Sequence, residues 1–273
     1  FTLRTLEDAM QIKAYAADRE RAVVVGGGLL GLEAARGLKG MGLDVTIVEL
    51  FNWLMPMQLD EEGGALLGDF AEGQGYTVLT GTSLKAITGE DEVEGAVLAG
   101  GRTLPADMVL IAAGVRPNLT LARKTGLETD RGVTVNDRME TSAPHVYAAG
   151  DIASFEGVCW AIVPVAQAQA QVAASNMAGE EASYEPVVPS TSLKVVNIDV
   201  NSMGTIDPKE DESFEQIRRS QPDASIYKKI VLHDGRIVGA ILINAKALAK
   251  DLSSLVEERA KMTPEEAGKL LEA

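Results

Sequence analysis

Three glycines, Gly26, Gly28 and Gly31, have the spacing G-x-G-x-x-G within the segment GGGLLG. The segment follows an apolar run at residues 22–25 that predicts a buried strand, and it opens a stretch with helical spacing. In that context the first glycine permits a tight turn, the second lets the backbone approach a pyrophosphate, and the third lets the helix pack on the strand. The amides and dipole at the start of the helix then favour the anion. The sequence therefore predicts a dinucleotide-binding turn that includes Leu29; the alternative is a glycine-rich turn with a structural role alone.

An acid at the end of the next predicted strand, Glu49 of residues 44–49, supports this interpretation. An acidic side chain about 20 residues beyond the glycine pattern accepts hydrogen bonds from the ribose hydroxyls of an adenosine. It would repel a 2′-phosphate, and the residues that follow, LFNW, contain no arginine to bind one. We therefore expect NAD(H) rather than NADP(H), with a solvated acid as the alternative. Glu33 follows Gly31 in the predicted helix, where a dipole-stabilising role is as good an interpretation as a functional one.

These residues depend on a strand, a glycine turn, a helix and a second strand within about 30 residues, which is the size of a βαβ unit. Before it, the pattern predicts a helix over residues 1–19 with Thr5 as its N-cap. Asp234-Gly235 between two apolar runs predicts a hairpin over residues 228–243. The other predicted elements are helices at 58–74, 163–178, 246–259 and 264–272, strands at 76–80, 107–112, 145–149 and 193–200, an antiparallel meander at 84–104, a loop-rich stretch at 115–144, and solvated acidic loops at 90–94 and 207–215.

The composition excludes several classes of function. The 273 residues include 40 acidic and 25 basic side chains, and the net charge of −15 opposes binding to nucleic acid or to an anionic membrane. Apolar runs fall short of the about 20 residues that span a bilayer, and without a signal-like segment we expect a cytoplasmic protein. One cysteine and two histidines exclude a disulfide framework, a Cys-x-x-Cys pair and a cysteine zinc site, so we predict no metal. We expect Cys159 to be a packed thiol, and, without a nucleophile–base–acid triad, we predict no catalytic side chain.

Three segments carry a resemblance to a known family. GGGLLGLEAARGL with VTIVE resembles the NADH-binding motif of the FAD-dependent pyridine nucleotide–disulfide oxidoreductases. LIAAGVRPN at 110–118 is similar to the motif that leads from the NAD domain of that family back to its FAD domain, and TSAPHVYAAGDIA at 141–153 is similar to its second FAD motif. Residues 160–179 and the hairpin KKIVLHDGRIVGAIL look most like the branch of NADH:rubredoxin reductases, nitrite reductase flavin domains and related NADH oxidases.

The resemblance implies an α/β fold. A Rossmann-like NAD-binding domain with a β-meander would be joined to part of an FAD-binding domain and to a small C-terminal α+β interface domain. The implied boundaries are a linker helix at 1–19, the NADH-binding domain at 20–113, the C-terminal part of the FAD-binding domain at 114–185, and the interface domain at 186–273. Because the interface domain often makes dimers in this family, it is the candidate surface for a homodimer.

The resemblance also assigns roles to individual residues. Gly26, Gly28 and Gly31 would hold the NADH pyrophosphate, and Glu49 would hold the adenosine ribose. Glu33 matches a glutamate that orients the nicotinamide carboxamide near the flavin. The remaining implied contacts are Gly114 close to the nucleotide, Gly150 and Asp151 at the FAD ribityl chain, the N-terminus of the helix from Val163 at the flavin pyrimidine edge, and Trp160 over that edge unless it is a core tryptophan.

As a function, the resemblance implies a fragment of an NADH-dependent flavoprotein oxidoreductase that passes hydride from NADH to FAD. Electrons would then go to an acceptor that the residues do not identify: a rubredoxin-like carrier, oxygen, a disulfide or a nitrite-reducing centre. The alternative is a non-enzymatic NAD-binding or redox-sensing module with a C-terminal assembly domain.

The start of the chain affects the expected cofactor content. The family begins with an FAD-binding βαβ unit that has its own G-x-G-x-x-G, whereas this chain begins at Phe1 with a segment that follows that unit in the family. We therefore expect a fragment that lacks on the order of 100 residues, and we predict that it binds NADH but does not hold FAD tightly. The purified chain should be colourless and release no flavin on denaturation; a yellow sample with stoichiometric flavin would contradict this.

Overall fold

The computed structural model of the protein describes residues 1–209 and 211–272. Contacts within the structure divide the chain into two units, one formed by Phe1–Gly114 with Ser190–Ala273 and the other by Val115–Pro189. The division into linker, NADH-binding, FAD-binding and interface segments stays a prediction. None of the helices in the described ranges has the length and apolar character needed to cross a membrane.

The helices and strands alternate as far as Leu79, and four further strands then follow one another before the next helix. The helices are α1 (Leu6–Ala16), α2 (Leu29–Gly40), α3 (Glu61–Gly73), α4 (Thr120–Lys124), α5 (Val163–Met177), α6 (Ala249–Glu257) and α7 (Pro264–Glu272). The strands are β1 (Arg21–Val25), β2 (Asp44–Val48), β3 (Thr77–Leu79), β4 (Leu84–Thr88), β5 (Gly95–Leu98), β6 (Thr103–Pro105), β7 (Met108–Ile111), β8 (Val133–Val135), β9 (Ala153–Phe155), β10 (Ser190–Val195), β11 (Ile198–Gly204), β12 (Phe214–Gln221), β13 (Ile226–His233) and β14 (Arg236–Ile243). The predicted βαβ unit is confirmed as β1, α2 and β2, and Thr5 caps α1 as expected.

A parallel sheet with the order β3-β2-β1-β7 lies at the centre of the first unit. At the carboxyl end of β1, Val25 pairs with Val48 of β2 on one side and with Ile111 of β7 on the other. The chain leaves β1 towards one neighbour and returns much later on the other side, so this end of β1 is a topological switch point. In open α/β sheets, ligands bind in the crevice at such a point.

Different layers cover the two faces of this sheet. Val24 belongs to a buried cluster with Leu32 of α2, whereas Val23 belongs to a cluster with Leu98 of the antiparallel meander β4-β5-β6. Burial on both faces explains why β1 is a continuous apolar run rather than an alternation of apolar and polar residues.

The C-terminal part of the first unit is an antiparallel sheet with the order β10-β11-β14-β13-β12. The predicted hairpin is confirmed, because Asp234 and Gly235 join β13 to β14 with φ values of 51° and 67°, as a two-residue primed turn requires. Ile198 and Ile241 of this sheet lie in the same buried cluster as Leu32 of α2. The C-terminal sheet therefore packs against the helical layer of the parallel sheet.

The second unit contains α4, α5 and the parallel strand pair β8–β9. Val165 and Ala173 of α5 pack in a cluster with Val135 and Tyr184. The helix α4 and the strand β8 lie where the sequence predicts only a loop-rich stretch, and β9 lies where no element is predicted. Each of these elements has five residues or fewer, which leaves too short a periodic pattern to detect.

Two of the predicted elements are wrong, and a third differs at its boundary. Residues 145–149 form an isolated bridge from Tyr147 to Glu140 rather than a strand, because they have no neighbouring ladder. Tyr147, Ala148 and Ala149 are only partly buried against the core of the second unit. The single strand predicted at 193–200 is β10 and β11, since Val196 and Asn197 take positive φ and reverse the chain. The acidic loop predicted at 207–215 ends where β12 begins, and residue 210 of that stretch lies outside the described residues.

Two glycines of the G-x-G-x-x-G pattern are required by contacts inside the fold. Gly26 has φ 113°, and a Cβ there would overlap the carbonyl oxygen of Ala112, just beyond β7. A Cβ at Gly31 would overlap the carbonyl oxygen of Gly26. The backbone of α2 thus lies directly on the turn that precedes it.

Gly31→Ala should lower the free energy of unfolding by about 1–3 kcal/mol or more, because the added methyl group overlaps backbone atoms. Gly37→Ala is the matched control, since Gly37 lies on the same helix and faces open space. We expect this control to raise the free energy of unfolding by about 0.5–1 kcal/mol. Urea unfolding of both variants measures the difference; equal stabilities would contradict the proposed packing.

Candidate functional site

Gly28 differs from the other two glycines of the pattern, because a Cβ on it would point into open space. It is the N-cap residue of α2, with an extended backbone of φ −80° and ψ −178°. A glycine carries no side chain to cap the helix, so the first amides of α2, from Leu29 onward, face that open space. Free amides at a helix start favour an anion such as a pyrophosphate.

Glu49 lies immediately after β2, and its carboxylate is tied to the glycine turn. The residue is 6% exposed. Its Oε2 accepts a hydrogen bond from the Gly27 amide at 2.6 Å, and its Oε1 accepts one from the Phe51 amide at 2.9 Å. A carboxylate has about four acceptor positions, so each oxygen retains one for a ribose hydroxyl.

The loop that follows Glu49 packs against the glycine turn at Gly27. The amide of Met55 donates to the Gly27 carbonyl oxygen at 3.0 Å, and a Cβ on Gly27 would lie 2.5 Å from the Leu54 side chain. Leu54 and Met55 are fully buried. Sequence reasoning missed both residues; the signal was a run of apolar side chains in LFNWLMPMQL without helical or strand periodicity, which is typical of a packed loop.

Gly114 and Glu33 lie on two segments that leave the switch point. Gly114 follows β7 with φ 93°, and a Cβ on it would face open space. It comes two residues after Ala112, which contacts Gly26. Glu33 lies on α2, is partly exposed, and pairs with Arg36 at 3.6 Å. The nicotinamide role of Glu33 stays a prediction.

The residues assigned to flavin lie in the second unit. Gly150 has φ 80° and begins a short 3₁₀ turn, and its amide donates to Oε1 of Gln169 on α5 at 2.9 Å. Gln169 is 2% exposed and was not predicted from the sequence. Asp151 and Trp160 are exposed, Trp160 by 41%, so this tryptophan lies outside the core of the second unit.

The start of α5 is also open to an anionic ligand. Its N-cap residue is Ile162, whose apolar side chain has no acceptor for the first amides of the helix. The same unit contains Cys159, and burial raises the pKa of its thiol above the usual value. A Cβ on Gly132 would lie 2.6 Å from its Sγ, so Cys159 is packed, as the sequence predicts.

These features fit the groups that a nucleotide and a flavin would bring. On the nucleotide side they are the open space at Gly28, the uncapped start of α2 and the free acceptor positions of Glu49. On the flavin side they are the exposed Asp151 and the uncapped start of α5. The assignment of each residue to a ligand stays a prediction.

Comparison with known proteins shows the relationship of the chain. Residues 1–175 match the family described as pyridine nucleotide-disulphide oxidoreductase, and residues 189–260 match the rubredoxin NAD+ reductase C-terminal domain. The chain is 40% identical over 261 residues to the nitrite reductase (NAD(P)H) of Bacillus subtilis, and the alignment covers 95% of this chain and 32% of that protein. It is 31% identical over 257 residues to the NADH-rubredoxin oxidoreductase of Clostridium acetobutylicum, and that alignment covers 94% of this chain and 63% of the relative.

Solved structures give the same relationship. The ferredoxin reductase for the CYP199A2 system of Rhodopseudomonas palustris superposes with a TM-score of 0.86 at 27% identity, covering 100% of this chain and 69% of that one. The relatives named here are oxidoreductases, so the non-enzymatic alternative has no support among them. The chain spans about a third of the nitrite reductase and less than two thirds of the rubredoxin oxidoreductase. The match over residues 1–175 is more than half of the chain, and the chain belongs to the pyridine nucleotide-disulphide oxidoreductase family.

Proposed function

We propose that the chain supplies the NADH-binding part and the C-terminal domain of an NADH-dependent flavoprotein oxidoreductase. One observation carries the proposal: the Glu49 carboxylate accepts a hydrogen bond from the Gly27 amide, next to the open space at Gly28. An anion site and a ribose-binding acid therefore lie side by side at the switch point of the sheet. The named relatives support the same class of reaction.

Each residue of the nucleotide site has a distinct task in this proposal. Gly28 leaves room for the pyrophosphate, and the amides of α2 from Leu29 onward donate to it. Glu49 accepts hydrogen bonds from the ribose diol with its free acceptor positions. Its negative charge disfavours a 2′-phosphate at the same place, which selects NADH over NADPH.

When bound, the nicotinamide and the flavin supply the hydride donor and acceptor, so the protein needs no acid or base of its own. In the second unit, Asp151 would accept hydrogen bonds from ribityl hydroxyls, and Gln169 fixes the turn that presents it. The open start of α5 would stabilise negative charge at the flavin edge through its amides and dipole. Trp160 would cover that edge.

The electron acceptor lies outside this chain. A rubredoxin-like carrier is the acceptor we propose, because residues 189–260 match the C-terminal domain of rubredoxin reductases; the relative from Bacillus subtilis makes a nitrite-reducing centre the alternative. We also propose the C-terminal domain as the homodimer surface and the cytoplasm as the compartment, since a chain with one cysteine needs no oxidising environment.

Anaerobic mixing of NADH with the full-length, flavin-loaded protein should bleach the flavin absorbance, and the absence of bleaching would overturn the proposal.

Gly28→Ala should raise the NADH concentration for half-maximal bleaching rate at least about tenfold, because the methyl group occupies the space left for the pyrophosphate. Alanine readily adopts the extended backbone of Gly28, so the melting temperature of the Gly28→Ala variant should match that of the parent. Gly37→Ala, on the same helix, should bleach like the parent.

Glu49 should set the choice of nucleotide. In the parent, NADPH should bind at least about tenfold more weakly than NADH, because its 2′-phosphate meets the carboxylate. Glu49→Gln removes the charge, keeps an acceptor oxygen and should narrow that ratio. Fluorescence titration with both nucleotides measures it, with Asp44→Asn at the exposed far end of β2 as the control. An unchanged ratio in the glutamine variant would show that Glu49 does not face the ribose.

A further inference from the structure

Lys229 of β13 is completely buried in the first unit. Its side chain is 0% exposed, and its Nζ lies 2.6 Å from Oδ2 of Asp60, which is also buried. Lysine is almost never fully buried without a partner, because removing the ammonium group from water is costly. The pair joins the C-terminal sheet to the N-terminus of α3, where Asp60 is the N-cap.

Two further groups donate hydrogen bonds to Asp60. The hydroxyl of Tyr227 donates to Oδ2 at 2.7 Å, and the amide of Gly63 donates to Oδ1 at 3.1 Å. Burial, and then the charge of Asp60, raise the pKa of Tyr227 well above its usual value, so its hydroxyl stays protonated. The guanidinium of Arg218 lies farther off, at 3.9 Å. These partners hold the carboxylate in one orientation, and this supports a positioning role for Asp60.

The first turn of α3 is shaped to fit this cluster. A Cβ on Gly63 would lie 3.2 Å from the Tyr227 ring, and a Cβ on Gly64 would overlap Trp53. Two adjacent glycines in a helix lower its intrinsic stability, so the close approach to the two rings explains their presence here. The helix start is consequently clamped between the loop and the C-terminal sheet.

The cluster is connected to the nucleotide site through residues 50–59. This segment begins after Glu49 and ends at Asp60. The amide of Met55 in this segment donates a hydrogen bond to the Gly27 carbonyl oxygen, and Nε1 of Trp53 donates one to the Leu59 carbonyl oxygen at 3.1 Å. The middle of the segment is therefore held by the glycine turn through Met55, and the residue that follows its far end, Asp60, is held by Lys229.

We propose that Asp60 and Lys229 are positioning residues for the dinucleotide. By fixing the far end of residues 50–59, they hold Glu49 and the Gly27 backbone in the arrangement that receives the adenosine ribose and pyrophosphate. The C-terminal sheet is then a structural part of the nucleotide site as well as a separate domain. This inference rests on the proposed function for its ligand, but its structural part concerns the free chain.

Hydrogen exchange of the nucleotide-free chain tests the structural part. In Lys229→Met, the amides of Gly27, Phe51 and Met55 should exchange at least about tenfold faster relative to the amides of β1, because their support is lost. Leu252→Ala is the control: Leu252 is fully buried in α6, and its truncation should lower the melting temperature without changing that ratio. If Lys229→Met does not fold, Asp60→Asn gives the same measurement, because an asparagine retains the cap. An unchanged ratio in a folded variant of either residue overturns the inference.

NADH titration tests the functional part. Lys229→Met should weaken NADH binding about tenfold, and Asp60→Asn/Lys229→Met should recover part of that loss, because it removes the unpaired buried carboxylate. Leu252→Ala should bind like the parent, which separates positioning from general loss of stability. Equal affinity of parent and Lys229→Met overturns the role in binding. If the parent itself binds no NADH while exchange responds as expected, the proposed function fails and the structural coupling stands.

Discussion

The buried carboxylate of Glu49 is the interaction on which the nucleotide end of the sheet depends. A buried charged group must have hydrogen-bond partners, and Glu49 finds them in the amides of Gly27 and Phe51. These two bonds join the end of β2 to the turn after β1 and fix the direction in which the next loop leaves. The acid is thus part of the fold without any ligand, and the ribose that we propose would take only its remaining acceptor positions.

The glycine pattern combines two physical requirements that look identical in the sequence. The space beside Gly26 and Gly31 is occupied by the protein's own backbone, since a Cβ on either residue would overlap a carbonyl oxygen. Gly28 is surrounded by open space and is required only if something else occupies it. A purely structural turn would need the first two alone. The spare glycine at Gly28, next to uncapped helix amides, is therefore the feature of the pattern that points to a ligand.

Local patterns predicted the elements whose signals are local. The strand β1, the helix α2 and the Asp234-Gly235 turn follow from apolar runs, glycine spacing and turn chemistry within a few residues. The strand at 145–149 was wrong because strand propensity does not supply a neighbouring strand. The pairing of Lys229 with Asp60 joins distant parts of the chain, so no local pattern contains it. The only trace was the dipeptide Lys228-Lys229 in an apolar strand, because alternation must send one of the two lysines inward.

The two acids that flank residues 50–59, Glu49 and Asp60, have different electrostatic surroundings, and this difference fits the different roles that we propose for them. Asp60 faces a fixed ammonium group, a hydroxyl and an amide, so its charge is compensated inside the fold. Glu49 faces amides alone, which stabilise its negative charge without cancelling it. The uncompensated charge therefore lies at the end of β2, where in the proposed site it would attract hydroxyl donors and oppose an added phosphate. Lys229 compensates the charge of the second carboxylate, so the proposed site would present one acid to the ribose.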